Sequence, residues 1–146
     1  MHCVAQRFAM LLVAALWLWA APLSAADGAS PADAAAIRSV IEAQLAAFQR
    51  DDGAAAFSFA APAIQRQFGT PERFMQMVRT GYAPVYRPRQ VFFQELLVHG
   101  QRWAQPLLIT AQDDSVLIAI YNMERQPDGT WRIGGVVLLP ARAQGA

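Results

Sequence analysis

Apolar positions follow three successive rhythms along this chain. Phe8 to Ala21 is an unbroken apolar run. From Ser30 to Gly81 apolar residues recur at helical spacing, and from Gln90 onward they cluster in short β-like runs. The first helix is announced by Ser30 as N-cap, Pro31 at the first helical position and Asp33 in the electropositive first turn. Ile37, Val40, Ile41, Leu45 and Phe48 then form one apolar stripe, and Asp51-Asp52-Gly53 stops it. Ala54 to Phe59 reads as a short second helix closed by Pro62, and Ile64 to Phe68 as a further turn ending at Gly69. Thr70-Pro71-Glu72 opens another helix through Phe74, Met75, Met77 and Val78, with Gly81 at its exit. The two prolines of Tyr82–Arg89 favour an extended connection.

Strands are expected at Gln90–Val98, Trp103–Ala111, Ser115–Arg125 and Thr130–Leu139. Breaks fall at His99-Gly100-Gln101, Asp113-Asp114 and Pro127-Asp128-Gly129. Helices first and hairpin-connected strands second predict an α+β domain, its helices packed on a curved antiparallel sheet of about four strands. A sheet covered on one side should alternate apolar and polar positions. Here both parities are apolar: Val116, Ile118 and Ile120 oppose Leu117, Ala119 and Tyr121, and Val136 to Leu139 fill both faces. Either the sheet curls around a core, helped by Gly134-Gly135, or its second face meets a partner. The expectation is a homodimer through that face.

The opening run changes the picture of the whole chain. Arg7 precedes it, and Ser24-Ala25-Ala26 follows it with the small residues that a signal peptidase accepts. A signal peptide over residues 1–26 is expected, with a single domain over 27–146 that is periplasmic or secreted and has no stable membrane anchor after cleavage. Cleavage would also remove Cys3 and His2, leaving a domain without cysteine and with His99 as its one histidine. Stability then rests on packing and not on disulfides. Lys and Arg total 12 against 11 for Asp and Glu, and every basic side chain is Arg. Without Arg7 the charges balance, so no nucleic-acid partner is indicated.

Chemistry is scarce. No metal-ligand spacing, phosphate loop or Gly-x-Ser-x-Gly elbow exists, so no metal, cofactor or catalytic residue is assigned. His99 lies at a turn and would meet Ser39, Ser58 or Ser115 only through folding. Asp113-Asp114 reads as a hairpin turn, and Asp51-Asp52 as a helix stop. Glu95 would share a face with Val91, Phe93 and Leu97. It is either a carboxylate with a raised pKa or a rim residue paired with Arg87, Arg89 or Arg102. Tyr82, Tyr86, Arg87 and Arg89 in the connection, with Trp103 and Tyr121 on strands, suit a pocket for a small apolar or carboxylate-bearing ligand; ordinary packing is the other reading. The candidate ligand-binding residues are therefore Tyr82, Tyr86, Arg87, Glu95 and Tyr121.

The stretches Phe68-Gly69-Thr70-Pro71-Glu72-Arg73-Phe74 and Gly81-Tyr82-Ala83-Pro84-Val85-Tyr86-Arg87-Pro88, placed between a first helix and a sheet, resemble a bacterial exported family described as a domain of unknown function (DUF 4864). The order of elements also resembles the cystatin-like roll of nuclear transport factor two, ketosteroid isomerase and polyketide cyclases. That resemblance implies a conical pocket at one end of a curved sheet and sheet-face dimers, but no reaction, because the acid–base motifs of those enzymes have no counterparts here. Three functions follow as expectations: a binding or accessory domain with an apolar pocket; a small isomerase- or hydratase-like enzyme using Glu95 as base and Tyr86 or Tyr121 as donor; or a structural partner in an envelope complex.

Overall fold

The structure, a computed structural model, describes residues 29–142. The expected signal peptide and the cleavage point before Asp27 lie outside them, as do residues 143–146 of the C-terminal tail. Among the described residues five helices come first: α1 (Pro31–Gln49), α2 (Gly53–Ser58), α3 (Pro62–Phe68), α4 (Pro71–Gly81) and α5 (Ala83–Tyr86). Five strands follow: β1 (Gln90–Phe93), β2 (Leu97–His99), β3 (Arg102–Thr110), β4 (Val116–Arg125) and β5 (Trp131–Pro140). The protein is α+β, with its helices on one face of an open antiparallel sheet of order β1-β3-β4-β5, and β2 beside β1 along the same edge of β3.

Local chemistry explains where the helices begin. The Ser30 hydroxyl accepts from the Asp33 amide at 3.0 Å, and Asp33 in turn holds Arg125 at 2.9 Å, tying the start of α1 to the end of β4. Thr70 caps α4 in the same way, through the Arg73 amide at 3.3 Å. The chain leaves α1 through Asp51, whose φ of 52° lies in the left-handed region that Asp tolerates better than most residues. Asp52 then caps α2 by accepting from the Ala55 amide.

The buried stripe of α1 is Ile37, Ile41, Gln44, Ala47 and Phe48. Val40 and Leu45, expected within the stripe, are only partly buried. These side chains meet an inner sheet face made by Leu107, Ile109, Ala119, Tyr121, Met123, Trp131 and Ile133. The Ala60–Ala61 connection is stitched to β5 by backbone bonds, with Ala61 N–H donating to Ile133 O and Ile133 N–H to Phe59 O.

Two expectations are corrected. Residues 82–89 are not wholly extended: Ala83–Tyr86 makes one helical turn. Pro84 is admitted because it stands in the first turn, where no intrahelical donor is required of it. Nor is Gln90–Val98 one strand. It breaks between Phe93 and Leu97, and three residues there face two on β3.

Pro106 accounts for the break. Its carbonyl accepts from the Gln94 amide at 3.0 Å, so its nitrogen faces the same edge and has no proton to return. The Gln105 side chain supplies the missing donor, reaching Gln94 O at 2.7 Å, and is buried in doing so. A second irregularity, between Asn122 and Met123, shifts the β4–β5 register at Gly134. A side chain at Gly134 would run into that of Glu124.

The parity shift sorts the edge strand. Val91, Phe93 and Val98 face inward, whereas Phe92 and Leu97 face outward. The outward face continues through Pro106, Leu108, Ile118, Ile120, Val137 and Leu139 by register. Among the described residues no helix covers it: Phe92, Leu97, Val116, Val137 and Leu139 stand among the exposed large hydrophobics.

Candidate functional site

A cavity of about 380 Å³ opens between the helices and β5. Its size falls within the range of small-molecule sites. Gln44 and Phe48 enter from α1, Ile64 and Phe68 from α3, and Phe74 and Val78 from α4. Tyr82 and Val85 close one side, and Ile133, Gly135 and Val136 of β5 form the sheet wall. α2 lies close on α4, where a side chain at Gly53 would come within 2.9 Å of Met75, while residues of both α3 and β5 line the cavity.

Most of the lining is aromatic or aliphatic. Phe74 is the pivot, with ring centroids 6.3 Å from Phe48, 5.3 Å from Phe57 and 5.9 Å from Phe68. Among the described residues, polar side chains reach the lining only through Gln44, Gln67 and Tyr82, and no charged residue lines it.

The five candidate residues do not converge. Tyr82 lines the cavity. Tyr86 and Arg87 instead lock the α5 turn to the end of α1. The Tyr86 hydroxyl donates to Asp51 Oδ1, while Arg87 donates to Asp51 Oδ2 at 3.0 Å and to the Phe48 carbonyl at 2.6 Å. Arg79 stands 4.0 Å from the same carboxylate. The Asp51 carboxyl is held below its ordinary value of 3.8, chiefly by the Tyr86 hydrogen bond and also by the Arg87 and Arg79 charges. A depressed folded-state pKa means that the lock contributes fully above pH 3.8 and is lost as pH falls through the lower folded value.

Glu95 falls in the break between β1 and β2, where it is exposed and outside the cavity lining. The expectation that it shares a face with Val91, Phe93 and Leu97 fails, because the extra residue in the break turns Leu97 to the opposite face from Phe93. Tyr121 is wholly buried at the centre of β4, and its hydroxyl has no hydrogen-bond partner among the described residues. Burial drives its pKa upward, so the group stays protonated. An unsatisfied buried hydroxyl costs roughly 1–3 kcal/mol. Tyr121→Phe is therefore expected to raise the unfolding free energy by about that amount; a less stable variant in denaturant titration would mean that the hydroxyl has found a partner.

Asp113 and Asp114 form the β3–β4 turn. Asp113 accepts from the Ser115 amide and hydroxyl, and Asp114 pairs with Arg89. His99 is exposed at the end of β2, paired in register with Arg102, while the hydroxyls of Ser58 and Ser115 donate to local acceptors. Among the described residues no group of three or more His, Cys, Asp or Glu is placed to hold a metal ion. No helix among them is long and apolar enough to cross a membrane.

Gln44 is the cavity residue that sequence reasoning missed. Its position three residues after Ile41 and four before Phe48 puts it on the apolar stripe by helical spacing alone, and a polar residue there is the signal that was available. A family model described as Domain of unknown function (DUF4864) matches residues 30–146. No curated protein and no solved structure matches the chain.

Proposed function

We propose a function for a chain that belongs to the DUF4864 family: it is a small-ligand-binding or accessory domain, exported to the periplasm or beyond, whose site is the cavity between α1, α3, α4 and β5. The observation that carries this reading is the cavity itself, an apolar volume of about 380 Å³ with a few neutral polar groups on its lining. The cystatin-like resemblance supports it, since that superfamily carries a pocket at one end of its sheet. Glu95, Tyr86 and Tyr121 are not gathered at the cavity, so binding is favoured over the isomerase- or hydratase-like alternative.

The reading includes a homodimer through the outward sheet face. Four strand positions about 4.8 Å apart and nine residues at about 3.3 Å each give a planar footprint on the order of 600 Å² per copy, to which side-chain relief adds. Stable complexes bury roughly 800 Å² per partner. The centre of this face, from Phe92 and Leu108 through Ile118 and Ile120 to Val137 and Leu139, carries no charge. A second copy matches such a surface without needing charge complementarity. An envelope protein using the same face is the competing occupant.

The test is the mass of small molecules that copurify with the exported protein, compared with Val136→Phe. The new ring would enter open cavity space, so stability should change little while the copurifying molecule is lost. A wild-type protein that carries nothing, or a Val136→Phe variant that retains its ligand, would contradict the proposal.

A further inference from the structure

Gln44 gives the cavity a chemical preference. Its side chain is 3% exposed, and its Nε2 donates to the Ala56 carbonyl at 3.1 Å. A carbonyl can only accept, so the amide must present its NH₂ to Ala56 and its oxygen to the other side. Gln44 also lines the cavity, and among the described residues no donor reaches that oxygen. The result is one buried acceptor, fixed in orientation by its own amide, beside Phe48, Phe74 and Val78; the lining's other polar side chains, Gln67 and Tyr82, are exposed and half-buried.

Charge is the second observation. None of the described residues that line the cavity is Arg, His, Asp or Glu. The cation that sequence reasoning offered as a ligand partner, Arg87, is committed to Asp51 and to the Phe48 carbonyl. A carboxylate drawn into this cavity would lose water and meet no counter-charge, which is heavily unfavourable. A hydroxyl or amide N–H would instead meet the Gln44 oxygen.

We infer that the cavity takes neutral, largely apolar molecules bearing a hydrogen-bond donor, such as alcohols, phenols or primary amides, and rejects carboxylates of the same length. This rests on the cavity being the ligand site, as proposed above.

The experiment compares 1-octanol, its methyl ether and octanoate by calorimetric titration into the wild-type protein at neutral pH. The ether keeps the chain and removes the donor. Octanol should bind about fivefold more tightly than the ether, the size of one net hydrogen bond. It should bind on the order of a hundredfold more tightly than octanoate. Gln44→Met should abolish the advantage of octanol over the ether while keeping ether binding. If that variant does not fold, the wild-type comparison decides alone. Octanoate binding as tightly as octanol, or the ether matching octanol, would overturn this inference and leave the cavity proposal standing. No binding of any of the three would defeat the cavity proposal itself.

Discussion

Phe74→Ala should lower the unfolding free energy by about 3–5 kcal/mol, the usual cost of removing a buried phenyl ring. The ring is 5% exposed and touches three others, Phe48, Phe57 and Phe68, so it joins α1, α2, α3 and α4 at one point. Aromatic pairs of this kind add roughly 0.5–1.5 kcal/mol each beyond area burial. A domain of this size has only about 5–15 kcal/mol in total, so the variant should lose much of its stability. Phe74→Leu retains most of the volume and should cost distinctly less. Denaturant unfolding of both variants checks this, and a loss below about 1 kcal/mol for alanine would show that the cluster does not hold the helices together.

The other large effect falls on the opposite side of the sheet. Wild-type protein at micromolar concentration should sediment as a dimer, and Ile120→Asp as a monomer. In the dimer the new carboxylate would be buried without a partner, at a cost of several kcal/mol, which weakens association on the order of a hundredfold or more. In the monomer it faces water beside Ile118 and Val137, so the fold and its thermal transition should survive. Ile118 lies two residues away on the same face, and Ile118→Asp should behave alike. Wild-type protein sedimenting as a monomer would remove the dimer and leave the exposed apolar face to a different partner.

Much of this fold was legible because its signals are local. Ser30-Pro31 and Thr70-Pro71 mark helix starts at the positions observed, since a cap and a first-turn proline act within three residues. The β3–β4 and β4–β5 turns were readable from Asp113-Asp114 and Pro127-Asp128-Gly129 for the same reason. What was not legible depends on distant pairing. Pro106 costs the edge strand a donor, but the break it brings about at Gln94–Leu96 is visible only once β1 and β3 are side by side. That one extra residue reverses the parity after it, so simple alternation places Glu95 on a face that the folded strand does not give it. Tyr86 and Arg87 looked like ligand-facing groups because Asp51, 35 residues before Tyr86, gave no local sign that it would occupy them.

Two apolar surfaces compete for any apolar ligand: the cavity and the outward sheet face. Methyl-resolved NMR separates them. With 1-octanol added to protein carrying labelled Ile, Leu and Val methyls, the account predicts shifts at Val78, Val85, Ile133 and Val136, which line the cavity. Ile118, Ile120, Val137 and Leu139 should remain still. Shifts confined to the second group, with the first unmoved, would contradict the assignment of the cavity as the binding site.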